Sequence, residues 1–334
     1  MQNSYPKSTS LLYLFILILY VSGFSLKNSK TISKSDQFNI SFVGCVSKSE
    51  DIIKNESLFN KFWDILVGRA NQNLIKPFSV LSAGSGILYV LDQGASKIQK
   101  YNLRDNSSST FHFPELVSLV SMTMLRDSSI IFSDSRMNSV FKLISDEDAA
   151  IPFVKDRILN QPTGLACNPV TGNVWIAETA AHCLSVFDPN GNFIRRVGVR
   201  GAGPGQFNYP TYIYINQNQI VYVVDALNNR IQIFDSLGNI ISSFGHTGDG
   251  SGDLARPKGI ACDSYGHIYI VDGLFHNVQI FDKHGKFLAN FGRQGQAPSE
   301  FWMPAGIYID DKNKIYVADA YNSRIQIFEL EVTH

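Results

Sequence analysis

The sequence of 334 residues has no excess of either charge, because 29 Lys and Arg are matched by 29 Asp and Glu. Composition therefore supplies no long-range field to draw in nucleic acid or an anionic membrane, and no nucleic-acid partner is expected. Cysteine is scarce: Cys45, Cys167, Cys183 and Cys262 make no C-x-x-C pair and no haem-attachment motif. An oxidising compartment would permit disulfides among them, but the spacing suggests no framework. A G-x-S-x-G nucleophile elbow is missing, and Gly248-Asp249-Gly250-Ser251-Gly252 resembles a glycine loop only superficially. Long apolar runs are missing too. The run from Leu11 to Val21 is short of the roughly 20 residues that span a bilayer.

That run follows Lys7 and leads into Ser22, Gly23 and Ser25, which is the layout of a secretory signal. Residues 1–25 are expected to be a signal peptide or an N-terminal anchor, and 26–37 a linker. Export to the periplasm or the extracellular space follows, with membrane contact only through an uncleaved N-terminal segment. Cys45 lies too far behind the apolar run to be a lipid-attachment site. The whole chain is 44% hydrophobic and 12% aromatic with only 17% charged residues, a globular, β-rich composition. A closed β-architecture of this length is routinely one domain.

Internal repeats decide the fold class. Tyr222-Val223-Val224-Asp225-Ala226-Leu227-Asn228-Asn229-Arg230-Ile231-Gln232-Ile233-Phe234 aligns almost letter for letter with Tyr316 to Phe328. The same register places acids at Glu178 and Asp272, weaker copies centre on Asp92 and Asp134, and the six markers are separated by 42, 44, 47, 47 and 47 residues. Each unit reads as four short alternating strands joined by tight turns, too short for the helical crossovers of a parallel sheet. Six copies predict six blades. The last blade runs out one strand early, and Phe38 to Gly44 alternates properly to close it, which would remove an exposed edge. Phe59, Phe62, Trp63 and Leu66 recur at helical spacing ahead of Gly68, predicting a short helix over 51–67. The expected architecture is all-β: a six-bladed β-propeller over 38–334 with a short N-terminal helix.

The motif from Pro304 to Phe328, P-x-G-I followed by Ile315-Tyr316-Val317-Ala318-Asp319 and Asn322-x-Arg324-Ile325-Gln326-Ile327-Phe328, resembles the NHL repeat. The resemblance covers about residues 38 to 330, is strongest in the last four blades, and points to exported bacterial NHL-repeat proteins. The segments Gly201 to Phe207 and Gln296 to Phe301 match that family's interblade connection. The resemblance also brings enzymes into view. Amidating lyases of related build place zinc-binding histidines directly after the blade-opening proline, where this chain has Phe78, Thr163, Thr211, Lys258 and Ala305. The catalytic groups of lactonase-like and streptogramin-lyase-like propellers do not map onto this sequence.

Asp225, Asn228 and Arg230 recur as Asp319, Asn322 and Arg324. An active site occurs once in a ring, whereas a device that pins each loop occurs in every blade. Asp92, Asp134, Glu178, Asp225, Asp272, Asp319, Arg230 and Arg324 are therefore expected to be structural. His182 and His276 share one offset from their markers but fall on different blades, so no metal site is predicted and no cofactor is expected. The loops after the markers vary, and Arg136, His182, Leu227, Phe275, His276 and Tyr321 are the candidate binding residues on that face. The functional expectation is a non-catalytic binding or docking module of the cell envelope, engaging a protein, peptide or glycan. A metal-dependent lyase or hydrolase with its site at the central channel is the alternative.

Overall fold

A computed structural model describes residues 38–47, 74–104, 107–145, 149–155 and 157–332. The expected signal or anchor at 1–25, the linker at 26–37 and the helix at 51–67 lie outside the described residues. What is described forms six four-stranded antiparallel sheets, the blades of a β-propeller. Blade one is Pro77–Ser82, Ile87–Asp92, Lys97–Asn102 and Ser107–His112, from the central channel outward. Blade two is Leu119–Met124, Ile130–Asp134, Ser139–Ile144 and Ala149–Pro152. Blade three is Pro162–Cys167, Val174–Glu178, Cys183–Phe187 and Phe193–Val197. Blade four is Pro210–Ile215, Val221–Asp225, Arg230–Phe234 and Ile240–Phe244, and blade five is Pro257–Cys262, Ile268–Asp272, Asn277–Phe281 and Phe287–Phe291.

Blade six takes Ile307–Ile309, Lys314–Asp319 and Arg324–Val332 from the C-terminal part and Phe38–Val46 as its outer strand. Phe38 pairs with Val332 and Val46 with Ile325, with a bulge between Phe42 and Gly44. The ring is closed by hydrogen bonds between the two ends of the described chain, leaving no open sheet edge on that blade's last C-terminal strand.

The second strands, and the third strands of blades three to six, are buried on both faces because each blade packs against two neighbours. Between blades three and four, Trp175, Leu184, Val186, Ile213, Val223 and Phe234 meet around Phe207, which comes from the interblade segment. Phe301 plays the same part before blade six, and both rings are fully buried. Glycine admits them. Gly198 and Gly292 have φ of +82° and +88°, and a Cβ there would lie 2.4 and 2.3 Å from the Phe207 and Phe301 rings. Any other residue would meet both strain and a clash. Cys167, Cys183 and Cys262 are free thiols. Among the described residues no helix is long and apolar enough to cross a membrane.

Candidate functional site

Each second strand ends on its marker acid, and in blades one to five the marker sits directly opposite the residue that opens the inner strand, as in Pro77 with Asp92 and Pro257 with Asp272. The loops after the markers, the interblade segments and the start of the inner strands consequently share one end of the propeller, the loop face. The marker side chains are inaccessible, at 0–1% exposure, and their oxygens accept hydrogen bonds from the segment that enters their own blade. Asp92 accepts from the Ile75 and Lys76 amides at 2.8 Å each, and Asp134 from Val117 at 2.7 Å and Ser118 at 3.0 Å. In blade four, Asp225 accepts from the Asn208 amide, Asn228 Nδ2, Arg230 Nε and Gln232 Nε2 at 2.7–3.1 Å. Asp319 repeats this set with Trp302, Asn322, Arg324 and Gln326. Arg230 and Arg324 spend their remaining donors on carbonyls of the same segment: Ala202, Gly203 and Gln206, or Gln296, Ala297 and Glu300. Blade three carries a compensating pair. Glu178 is one methylene longer than aspartate and hydrogen-bonds Ser185, which stands where blades four to six have a longer glutamine.

The loops themselves end in the left-handed region. Ser96, Asn138, His182, Asn229, His276 and Ser323 occupy one position in the six blades and have φ between +48° and +55°, a conformation in which Asn and His are enriched. The two histidines use this geometry in the same way. His182 is only 8% exposed, its Nδ1 accepts the Tyr209 amide at 3.2 Å and its ring meets Tyr209 edge-on at 4.5 Å. His276 does the same for the Met303 amide at 3.0 Å, and burial holds its pKa below the ordinary value. Both rings are turned toward the next blade's entering segment, His182 buried and His276 partly exposed. Phe275 is half-buried, while Arg136, Leu227 and Tyr321 are exposed on blades two, four and six.

Of these, Tyr321 belongs to a cluster. Its ring lies 6.0 Å from Trp302, and the two are 54% and 41% exposed. The Lys76 ammonium stands 5.5 Å above Tyr321 and 5.7 Å above Phe78, and the Lys258 ammonium stands 5.2 Å above Phe78 from blade five. Phe78 packs against the core between blades one and two and against the core between blades four and five. Its ring therefore reaches across the axis near the loop face. Below it a cavity of about 860 Å³ opens toward the opposite face. That cavity is lined by Met124, Tyr212, Tyr214, Tyr308 and, at its rim, Arg126 and Asp311. The Tyr212 hydroxyl is buried without a hydrogen-bond partner.

The layer after the blade-opening residue holds a phenyl ring at Phe78, hydroxyls at Thr163 and Thr211, an ammonium at Lys258 and a methyl at Ala305. Thr163 Oγ1 is engaged with Thr179 Oγ1 at 2.6 Å and the Thr211 carbonyl at 2.9 Å. These residues do not fit a zinc ion, since an ammonium would repel a dication and no imidazole is present. Among the described residues, no group of three or more His, Cys, Asp or Glu converges as metal ligands would. Lys76, Phe78, Lys258 and Trp302 escaped the sequence reading of the loop face. The signal was present in the repeat register, where an ammonium and a phenyl ring replace the small side chains of other blades.

Comparison with known proteins agrees with this architecture. A family of six-bladed β-propellers matches residues 167–235 and 260–334. Peptidyl-glycine alpha-amidating monooxygenase B of Xenopus laevis is 28% identical over 160 residues. That match covers 43% of this chain but only 17% of the relative, so the chain spans about a sixth of that protein's length. An auxiliary nutrient binding protein from Bacteroides thetaiotaomicron superposes with a TM-score of 0.66 at 12% identity, over 89% of this chain and 77% of that one. Virginiamycin B lyase from Staphylococcus aureus superposes with a TM-score of 0.59 at 14% identity, over 87% and 99%. At such identities these structures share the fold.

Proposed function

We propose that this propeller is a non-catalytic binding module of the cell envelope that engages a protein, peptide or glycan through its loop face. The observation that carries the reading is the open cluster of Trp302, Tyr321, Lys76 and Lys258 around Phe78. Exposed aromatic side chains beside cations that form no ion pair are the composition of an interface hot spot. The name of the Bacteroides thetaiotaomicron relative, an auxiliary nutrient binding protein, supports a binding role. The layout of residues 1–25 supports export, and the motif around Asp319 and Arg324 supports membership of the exported NHL-repeat proteins. The marker acids with Arg230 and Arg324 serve as scaffold in this reading, because their oxygens and donors are consumed within the blades.

The test is a parallel screen of glycan and peptide arrays with the wild type, a Trp302→Ser, Tyr321→Ser double variant and an Arg126→Ala variant at the opposite rim. Binding should weaken at least about tenfold in the double variant, equivalent to roughly 1.4 kcal/mol, and survive in Arg126→Ala. The reverse pattern would move the site to the large cavity. Tight stoichiometric zinc or calcium in the purified protein would favour the alternative of a metal-dependent lyase or hydrolase at the channel.

A further inference from the structure

The cations of the loop face divide into those that are used and those that are not. Arg230 and Arg324 each hold a buried carboxylate and three carbonyls. Lys76, Arg256 and Lys258 make no side-chain hydrogen bond or ion pair with any described residue. Yet Lys76 and Lys258 converge on one ring, with their ammonium groups 5.7 and 5.2 Å from the Phe78 centroid. The acid nearest in effect, Asp272, is already saturated by the amides of Ala255, Arg256, Leu274 and Phe275. Burial, then the charges of Arg256 and Lys76, push the Lys258 pKa down to about 8, against the weaker pull of Asp272. Unpaired like charges in a half-buried mouth work against folding. Thr211 and Ala305 show that the position accepts neutral side chains in neighbouring blades.

We infer, resting on the loop-face reading above, that Lys76 and Lys258 form a carboxylate-binding subsite and that the ligand is an acidic glycan, a uronate-bearing chain stacked on Trp302 and Tyr321. The two rings are inclined by 39° on blade six, between the blades that supply the lysines, and make one shallow aromatic platform. A sugar presents a C–H face to such a platform while its carboxylate reaches the ammonium groups, giving charge-assisted hydrogen bonds. An extended peptide is recognised most readily along a free strand edge. The mouth offers none, because the strands of every blade end there and their outer edges lie on the rim. Phe78 lies between the two lysines across the axis, so the carboxylate ends at the ammonium groups over its ring and the chain continues outward.

The experiment titrates the protein, with its lysines ¹³C-dimethylated, by NMR, and measures affinity for trigalacturonate, a neutral galactose trimer and hexaglutamate. Lys258→Met and Lys76→Met assign the two signals. Expected are a Lys258 resonance that titrates near pH 8 and moves to higher pKa with glucuronate but not glucose, and trigalacturonate bound at least about tenfold better than the neutral trimer. That preference should disappear in both variants and fade as pH rises through about 8, where Lys258 loses its proton. Melting of Lys258→Met should not fall, which separates lost recognition from lost structure. Equal affinity for acidic and neutral sugars, itself lost in Trp302→Ser, would overturn the subsite and leave the loop-face reading standing. Hexaglutamate binding in preference to trigalacturonate would replace the glycan by an acidic peptide. Lysine signals unmoved by saturating glucuronate would overturn the subsite outright.

Discussion

Blades five and six share one repeat motif and use positive charge in opposite ways. Blade six buries Arg324 against Asp319 at 2.7 Å and spends its other donors on three carbonyls of the entering segment. Blade five has Asn277 in that place, its side-chain oxygen buried without a partner, and its marker Asp272 is held by four backbone amides instead. Its cations, Arg256 and Lys258, stand at the mouth of the channel unpaired. One repeat frame can thus fasten a loop or present a charge, and the choice turns on one position in the third strand and one in the first.

Removing residues 26–46 should have the largest effect, because it takes the outer strand from blade six and leaves blade five complete. The protein should lose several kcal/mol and aggregate through the bared strand Arg324–Val332, as read by size-exclusion and thermal melting. A truncated protein that stays monomeric and melts like the parent would deny that blade six depends on closure. Next, Arg324→Ala should cost roughly 2–3 kcal/mol in urea unfolding, since it strands a buried carboxylate. Asn277→Ala in blade five should cost under about 1 kcal/mol, its amide having less to lose. Equal losses would erase the contrast between the blades.

Lys258→Met should raise stability at pH 7, by on the order of 1 kcal/mol once solvent screening of a half-buried charge is allowed for. The wild type should also gain stability as pH rises from 8 toward 10. Over that range the folded state gives up the Lys258 proton while the unfolded chain, with its ordinary lysine pKa near 10.5, retains it. The variant should lack that rise, a difference readable from urea midpoints at several pH values. The smallest effect is expected from His276→Asn, which keeps a side chain suited to the left-handed position and should change stability by no more than about 0.5 kcal/mol.

The frame of the ring was legible because it repeats. Six marker acids at near-constant spacing and strands of alternating polarity specify blades without any knowledge of contacts, and Phe38 to Gly44 announces its strand by the same alternation. The mouth was not legible, because it is assembled from positions that differ between blades. Lys76 and Lys258 lie far apart in sequence and meet only when the ring closes. Nor does the sequence show that His182, at a positive φ, packs its ring onto the Tyr209 amide. Trp302 stands two residues before the blade-opening proline, where Ile75, Val117, Asn160, Asn208 and Ala255 stand in the other blades, so one large ring among smaller side chains was the clue.

The pairing of Phe38–Val46 with Arg324–Val332 sets the order of events in folding. The first strand of the ring to leave the ribosome has its partner in the last, and every other blade can form while it waits. Contacts of such sequence separation are slow to find, because a long loop must close before they are rewarded. Joining residue 332 to residue 38 by a short linker and opening the chain at the interblade segment around Asp249 would turn this slowest contact into a hairpin. The permuted protein should refold faster than the parent in stopped-flow experiments while reaching the same ring.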